Sequence, residues 1–486
     1  MKKLLSLLFS ISALVLFGLF AKKLFDIPTQ WHNSILAGSL AWMKGYPLYQ
    51  GLHITHPVLS SIYPPLGYLA YAPSLAFQTP TTAVFAGRFF AMFYYFTPIL
   101  FISWRGRRFY SLLIFGFIVF YCLPLLEAGF AVNVDAPALG FGAMACAFLC
   151  FIQDENDRRN LFFSAACAML SVWCKQVMLP IPFVLTAWLF LAEGRRTAYR
   201  YLLFLALLGS AVSSFFIFLF HPQELFLNLL YMPGHHPWID PNPLKALSIT
   251  FKIFADYAAL PLIPVLACFF LEIAENPEAG TNWRKRLKTQ RWPIFFVTGL
   301  AMIPLSLLGR VKAGGAHNTF SYSLYFFAIS SVLAVTAKND AFRKSLAASI
   351  LLVLLALKTP SLLNFPEQVR GFYPNEMSRA YHYLKRHPKE AYFPLHPLSS
   401  LMADGTLMPV QAGLNERKMA GIPVSDEEFH ATLPYRPKRI CFPPGSEQAK
   451  TFSEHPVMKY FPDYTNEVKV EELPGWVIYE KYGNKN

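Results

Sequence analysis

The sequence is short of charged residues, and acidic residues are the scarcer kind. Of its 486 residues only 15% are Asp, Glu, Lys or Arg, whereas about 25% is usual in soluble domains. The chain has 29 acidic and 43 basic residues, which gives a formal net charge of +14. Hydrophobic residues make up 54% of the chain, and the mean hydropathy is +0.35. Such a composition predicts a protein that lies in lipid.

Cysteine is also scarce, and its positions form no pattern. Six of the seven cysteines lie in apolar runs, and only Cys441 lies in a polar region. The sequence therefore shows no disulfide framework of the kind found in small secreted domains. We interpret the cysteines as packing residues.

The basic residues do not gather into one patch or stripe, which a nucleic-acid-binding face requires. They stand instead in short groups between apolar runs, as in membrane proteins that keep Lys and Arg on the cytoplasmic side. We therefore expect membrane lipids and no nucleic acid as partners.

Long apolar runs predict the membrane-spanning helices. The first run follows Met1, Lys2 and Lys3 without a small-residue cleavage site, so we interpret it as an uncleaved helix. The predicted spans cover residues 4–20, 89–104, 110–126, 137–152, 201–220, 257–273, 293–308, 320–337 and 346–357.

Residues 161–191 fit either one long tilted helix or two short ones, with Lys175 and Gln176 in the middle. A single helix would place a lysine near the bilayer centre, at a cost of a few kcal/mol. Two helices with an outer turn at Lys175 bring the basic groups to the cytoplasm. We predict about eleven spans in the plasma (inner) membrane, with the N-terminus in the cytoplasm and these groups inside: Lys2/Lys3, Arg105/Arg107/Arg108, Arg158/Arg159, Arg195/Arg196, Arg284/Lys285/Arg286/Lys288/Arg291 and Lys338/Arg343/Lys344.

This topology divides the chain into two predicted domains. Residues 1–360 form a transmembrane domain whose outer loops, at 22–88, 127–135, 221–256 and 309–319, carry the aromatic, histidine and acidic residues. Residues 361–486 are polar. A helical pattern at 375–386 and short apolar stretches at 391–395 and 439–442 predict a small extracytoplasmic α/β domain. The fold class is thus a mainly α, polytopic membrane protein.

The first outer loop begins with a carboxylate. Asp26 lies just beyond the first span, where it is suited to take a proton from an attacking hydroxyl or amine. The alternative is an ordinary charge at a helix end. Within residues 31–44, Trp31, Ile35 and the later apolar residues recur at helical spacing, which predicts a helix in the membrane interface.

Several features of this loop together resemble the GT-C superfamily of glycosyltransferases, and most closely the branch with protein O-mannosyltransferases and lipid A aminoarabinose transferase. The features are Asp26, the interfacial helix, Gly45-Tyr46-Pro47-Leu48-Tyr49, Tyr63-Pro64-Pro65-Leu66 and Gly87-Arg88. The resemblance implies a catalytic aspartate in the first outer loop, a polyprenyl-phosphate sugar donor, and a C-terminal outer domain.

By this resemblance, Asp26 corresponds to the catalytic acid of the first loop. Asp135, in Asn133-Val134-Asp135-Ala136-Pro137, matches a second acidic position that binds metal or shapes the acceptor site in some members. Many relatives have an Asp-Glu pair in the first loop, whereas Ile27 follows Asp26 here. Glu127 is either its substitute or a helix-end glutamate.

A leaving phosphate needs cations at the outer membrane edge. Arg is suited to bidentate phosphate contact and Lys to a point charge, although snorkelling to lipid headgroups also explains such residues. Glycines at a helix start expose N–H groups that favour an anion. The predicted donor phosphate-binding residues are Arg88, Lys175, Arg310, Lys312, Gly314, Gly315 and Asn318.

The outer histidines have no diagnostic metal-ligand spacing. They are His53, His56, His221, His235, His236 and His317. The sequence therefore leaves a divalent metal open and assigns no cofactor.

The leading functional hypothesis is inverting transfer of one sugar from a polyprenyl-phosphate carrier to a lipid, glycan or protein acceptor at the outer face. One alternative is an oligosaccharide ligase or polymerase with a lipid pyrophosphate donor. A transporter or flippase without covalent chemistry is the other. The leading hypothesis expects Asp26 to face Lys175 and Arg310 across one cavity.

Overall fold

The structure is a computed structural model that describes residues 2–28, 30–152, 157–275, 287–337, 357–444 and 456–481. Helices dominate the first three quarters of the chain. In order they are α1 (Lys2–Leu24), α2 (Gln30–Met43), α3 (Pro65–Leu69), α4 (Pro80–Gly106), α5 (Tyr110–Tyr121), α6 (Leu123–Phe130), α7 (Asp135–Leu149), α8 (Arg158–Cys174), α9 (Pro180–Ala192), α10 (Arg195–Phe220), α11 (Pro222–Phe226), α12 (Met232–His235), α13 (Pro243–Glu275), α14 (Trp292–Val311) and α15 (Ser321–Val335).

Six of these helices, within the described ranges, are long and apolar enough to cross a membrane: α1, α4, α10, α13, α14, and α15 with its preceding turn. The pair α5 and α6, bent by 106°, makes a seventh if it counts as one span. Two shorter apolar helices cover 135–149 and 176–192. The chain is an integral membrane protein of the predicted polytopic helical class. The count of about eleven stays a prediction, and span 346–357 lies, apart from Leu357, outside the described residues.

Helix α15 forms the centre of the bundle, and α10 and α13 form its periphery. The span that contains α15 is 94% buried, and it packs against α13, α14 and α5. Its polar groups are bonded internally, since Ser323 donates to the Gly299 carbonyl and Ser330 to that of Trp292, at 2.9 and 3.0 Å. The peripheral helices turn apolar side chains such as Phe218 outward, as a lipid environment requires.

The helical segment is interrupted at Lys175, as the charge argument predicts. Helix α8 ends at Cys174, Lys175 is extended with φ −154° and ψ 121°, and a single 3₁₀ turn, Gln176–Met178, leads into α9. Two short helices therefore replace one long one, and proline at the start of α9 fits its first turn. The side of the membrane that this break faces stays a prediction.

The C-terminal region contains the small mixed domain that the sequence predicts. Its helices are α16 (Phe365–Phe372), α17 (Glu376–Arg386), α18 (Pro397–Ala403), α19 (Gln411–Met419) and α20 (Asp426–Ala431), and its strands are β1 (Ala391–Tyr392), β2 (Arg439–Phe442), β3 (Asn466–Val468) and β4 (Val477–Glu480). The sheet order is β1-β2-β4-β3, with β1 parallel to β2 and the other pairs antiparallel. The domain boundary at 360/361 and an extracytoplasmic location stay predictions.

This region packs directly on the first loop. The Val410 N–H donates to the Val58 carbonyl at 2.7 Å, and Arg417 donates to the carbonyl of Gly51 at 3.0 Å. Gly413 lies so close to the Leu59 carbonyl that a Cβ there would be 2.3 Å from the oxygen. The predicted helix over residues 31–44 is confirmed as α2, which packs against α18. The first loop is therefore held between the bundle and the C-terminal region.

Candidate active site

Asp135 is the first residue of α7, and it lies at the centre of a buried polar cluster. Only 1% of it is exposed. The Asn133 side-chain oxygen accepts the backbone N–H of Asp135 at 3.0 Å and that of Ala136 at 3.4 Å. Asn133 thus satisfies N–H groups that the first turn of a helix leaves free. A carboxylate at this position is also favoured by the helix dipole.

Both carboxylate oxygens of Asp135 have a partner from a distant part of the chain. Lys175 Nζ lies 2.5 Å from Oδ1, and Asn318 Nδ2 donates to Oδ2 at 2.6 Å. Lys175 comes from the break between α8 and α9, and Asn318 from the 3₁₀ turn before α15. Three residues far apart in sequence therefore converge here, and all three were predicted as site residues.

Two tyrosine rings enclose the lysine. Its Nζ lies 5.0 Å from the ring centroid of Tyr63 and 4.7 Å from that of Tyr322, within the range of cation–π attraction. Tyr63 is positioned through its carbonyl, which accepts the Tyr49 hydroxyl at 2.6 Å, and its neighbour Ile62 accepts from Gln176 at 3.0 Å. Burial raises the pKa of Tyr63 well above its usual range, and Lys175 opposes that shift. The first loop thus covers the cluster.

The buried pair is costly to break. The side chains of Lys175 and Asp135 are 6% and 1% exposed, so neither charge has water as an alternative partner. Removing one partner of such a pair costs about 3–5 kcal/mol, because it leaves the other charge buried and uncompensated. Lys175 and Asp135 therefore stabilise each other in this site.

A second carboxylate adjoins this cluster. Glu127 on α6 faces the His317 side chain, the backbone N–H of Asn318, Lys23 and Asp135. Nδ1 of His317 is buried and, within the described part of the chain, makes no hydrogen bond. Glu127 therefore interacts electrostatically both with Asp135 and with Lys23 at the end of α1, and its role as a substitute carboxylate stays a prediction.

No protein-family model matches the chain, and no curated protein matches it in sequence. Solved structures do match it. ArnT from Cupriavidus metallidurans bound to undecaprenyl phosphate has a TM-score of 0.58 at 10% identity and covers 99% of this chain and 99% of its own. The apo state of that protein gives 0.56 at 11% identity, with 98% and 97% covered. The chain has the GT-C fold.

The apo oligosaccharyltransferase of Archaeoglobus fulgidus is more distant, with a TM-score of 0.48 at 12% identity over 89% of this chain and 69% of that one. That score is too low to support a conclusion about this chain. The ArnT structures confirm the predicted resemblance at the level of the GT-C fold. At identities this low they leave the reaction of this chain to be argued from its own residues.

Asp26, the predicted catalytic acid of the GT-C fold's first loop, belongs to a different cluster. Its carboxylate lies 2.5 Å from Lys23 Nζ and accepts a hydrogen bond from Gln368 of α16. The side chain is 34% exposed. Within the described ranges, no hydrogen bond or ion pair joins Asp26 to Lys175 or Arg310, so the expected cavity that Asp26 shares with those cations stays a prediction. Lys23 connects the two clusters electrostatically through Glu127.

Arg88, predicted to bind phosphate, holds backbone carbonyls instead. It is 2% exposed and donates to the carbonyls of Leu24 (3.0 Å), Asp26 and Ile27 (3.4 Å). The last carbonyls of a helix lack partners within it, and a cation there is favourable. Arg88 thus fixes the end of α1 and the backbone of Asp26. In this arrangement its guanidinium is engaged by carbonyl groups, and its phosphate role stays a prediction.

Arg310 and Lys312 also donate to carbonyls. Arg310 donates to Gly315 at 3.3 Å, and Lys312 Nζ to Gly234 and His236 at 3.1 and 2.9 Å. Lys312 lies 5.4 Å from the Trp238 ring centroid. Both cations therefore shape the loop after α14, and Asn318 at the end of that loop is the residue that reaches Asp135.

Gly314 and Gly315 allow the loop after α14 to fold tightly. Gly314 has φ +85°, the left-handed region that favours glycine. Gly315 packs against the end of α14, where a Cβ would lie 2.1 Å from the Gly309 carbonyl oxygen. Together they fold the loop tightly enough to bring Asn318 to Asp135.

The described residues contain no group of three or more His, Cys, Asp or Glu side chains arranged to hold a metal ion. Within those residues, His317 and Glu127 are neighbours of Asp135 but do not complete such a set. A divalent metal therefore remains without a candidate site here.

Sequence reasoning missed Glu416 of α19. It is 6% exposed, and its carboxyl accepts the Ser60 hydroxyl at 2.8 Å. Burial raises its pKa to about 8, which the Ser60 hydrogen bond partly opposes. Its charge also acts on Tyr63 and Tyr68. Nothing in the sequence distinguishes this glutamate from those on the exposed faces of nearby helices.

Proposed function

We propose that this protein is a membrane glycosyltransferase that transfers a sugar from a polyprenyl-phosphate carrier to an acceptor at the outer face of the inner membrane, with inversion. The observation that carries this proposal is the convergence of Asp135, Lys175 and Asn318 in a buried cluster beside the rings of Tyr63 and Tyr322, within the GT-C fold. An ArnT structure with that fold holds undecaprenyl phosphate. A polyprenyl phosphate is the donor chemistry that this likeness favours.

In the proposed reaction, an acceptor hydroxyl or amine attacks the anomeric carbon from the face opposite the phosphate. The new bond forms as the bond from the anomeric carbon to the phosphate oxygen breaks, and its electron pair leaves with the polyprenyl phosphate. Asp26 receives the acceptor proton. Its partly exposed carboxylate, held by Lys23 and Gln368 at the end of a candidate span, is accessible to a water-soluble acceptor.

Lys175 supplies the positive charge for the leaving phosphate. In the described structure its ammonium is balanced by Asp135, so a phosphate that enters must compete with that carboxylate for the same cation. Asn318 retains Asp135 in place while Lys175 turns to the phosphate. A cation in a water-poor site stabilises the developing charge more strongly than it does in water.

The test is a transfer assay with the purified full chain in lipid nanodiscs and a radiolabelled polyprenyl-phosphate sugar. The proposal predicts release of free polyprenyl phosphate, with loss of that release in Lys175→Met and partial retention in Lys175→Arg. A transporter would move the lipid without cleaving it. Intact labelled donor after prolonged incubation with candidate lipid, glycan and peptide acceptors would contradict the proposal.

A further inference from the structure

A basic groove lies on the C-terminal region, away from the Asp135 cluster. It is an open groove of about 660 Å³ lined by Tyr373, Pro374, Ser378, Arg379, His382, Lys385, Arg386 and Glu472. Three cations face one carboxylate within it. Most of its charged residues come from one face of α17, where Arg379, Lys385 and Arg386 recur at helical spacing.

The charges of this groove are only partly balanced by the protein. Arg386 pairs with Glu472 at 3.1 Å, and Glu376 faces Arg379 from the preceding turn. Within the described residues, Lys385 has no carboxylate within 4.0 Å, and it lies 5.8 Å from the Tyr381 ring centroid. Lys385 and Arg386 are exposed. The groove therefore retains positive charge toward its surroundings.

The segment that leads into the groove packs against the ends of two candidate spans, where α1 ends and α4 begins. Asn375, the N-cap of α17, donates to Thr81 in the first turn of α4 at 3.3 Å. Phe372 packs its ring 5.4 Å from that of Phe25 and 6.1 Å from that of Phe85, measured between centroids. Lys22 near the end of α1 donates to the Ser361 carbonyl. Both α1 and α4 are candidate spans.

Apolar side chains are exposed at Tyr373, which lines the groove, and around the end of α1. Leu363 is 79% exposed, Leu357 65%, Ile27 60%, Tyr373 58% and Trp31 53%. They belong to the segment that packs on the end of α1 and to the start of the first loop. Exposed apolar residues next to cations at the end of a span are the features of a surface that lies in the headgroup region.

We propose that this groove binds the phosphate headgroup of an anionic membrane phospholipid, and so fastens the C-terminal region to the bilayer surface. Cations near a membrane surface each attract anionic lipid, and Arg and Lys side chains match a phosphodiester. The uncovered apolar residues fit the lipid's glycerol and acyl region. This inference does not depend on the proposed transfer reaction.

The test places p-benzoylphenylalanine at His382 in the full chain, reconstituted in nanodiscs of phosphatidylglycerol and phosphatidylcholine. After irradiation, mass spectrometry identifies the crosslinked lipid. We expect phosphatidylglycerol to be enriched about tenfold or more over its share of the bilayer, because several cations act together. Arg379→Gln/Lys385→Gln should return the ratio to that share. Lys418→Gln/Arg436→Gln, which removes one Lys and one Arg elsewhere in the same region, should leave it enriched.

Two results would overturn the proposal. One is an equal lipid ratio in the original chain and the groove variant. The other is loss of the phosphatidylglycerol crosslink when excess sn-glycerol 3-phosphate is added, since that would assign the groove to a soluble phosphate compound. Sugar transfer is not a readout of this experiment, so its outcome is separate from the test of the proposed function.

Discussion

The Asp135 cluster and the Asp26 cluster differ in burial and in the sequence separation of their residues. Asp135 is fully buried, and its partners Lys175 and Asn318 come from remote helix ends. Asp26 is partly exposed, and its closest cation is Lys23, three residues away. A charge in the first environment depends on exact pairing, whereas one in the second keeps water as a partner. The buried cluster therefore suits the stabilisation of charge, and the exposed one suits proton exchange with an acceptor.

The largest effect is expected from Asp135→Asn. It leaves the Lys175 ammonium buried without its carboxylate, so the free energy of unfolding should fall by about 3–5 kcal/mol, and transfer should be lost. The measurement is thermal unfolding in detergent together with donor cleavage. Asp135→Asn/Lys175→Met removes both charges and should recover much of the stability but none of the activity. Full stability of the single variant would show that the buried pair is not the anchor described here.

Asp26→Asn should separate activity from stability. If Asp26 is the base, the rate of transfer falls by about 10²–10⁴-fold. The free energy of unfolding should change by less than about 1 kcal/mol, because the Lys23 pair is partly exposed. Single-turnover kinetics and thermal unfolding on the same preparation measure both. Unchanged turnover would remove Asp26 from the mechanism and leave Glu127 as the next carboxylate to examine.

Glu416 predicts a pH dependence of the stability of the folded chain. Burial raises its pKa to about 8 in the folded chain, against about 4.3 when unfolded. Between those values the folded state keeps a proton that the unfolded state loses, so Glu416 lowers the stability as pH rises from about 4 to about 8, and its effect then levels off. The groups that face it are Ser60, Tyr63, Tyr68 and, on its own helix, Arg417.

The measurement is the melting temperature from pH 5 to pH 9 for the original chain and for Glu416→Gln, which imitates the protonated carboxyl. In Glu416→Gln the melting temperature should fall less between pH 5 and pH 8 than in the original chain. The exposed control Glu467→Gln should show the pH profile of the original chain. Identical pH profiles for the original chain and Glu416→Gln would mean that this carboxyl is not buried in solution.

Gly315→Ala tests the loop that carries Asn318 to Asp135. The new Cβ would meet the Gly309 carbonyl at 2.1 Å, so the loop that carries Asn318 must shift, at a cost of about 1–3 kcal/mol. Transfer should fall with it, because Asn318 no longer reaches Asp135. Gly371→Ala, where nothing lies within 4 Å of the added Cβ, is the matched control. Equal stability and activity in both variants would argue against close packing at Gly315.

The helical membrane class, the helix break at Lys175 and the small C-terminal sheet could be predicted from the sequence, because hydropathy and charge act locally along the chain. Asp135, Lys175 and Asn318 could each be predicted as site residues, but the sequence did not indicate that they pair with one another. The partners of Arg88 could not be predicted, since a guanidinium binds phosphate and carbonyl groups by the same donors. Glu416 was missed because its burial depends on how α19 packs against Ser60, which no local pattern records.

The central claim is that Lys175 exchanges the Asp135 carboxylate for the phosphate of the lipid donor. A cryo-EM structure of the purified chain with bound polyprenyl phosphate tests it most directly. The account predicts a phosphate oxygen within hydrogen-bond distance of Lys175 Nζ, with Asn318 still bonded to Asp135. A phosphate bound elsewhere, with Lys175 still paired to Asp135 beneath Tyr63, would contradict the account.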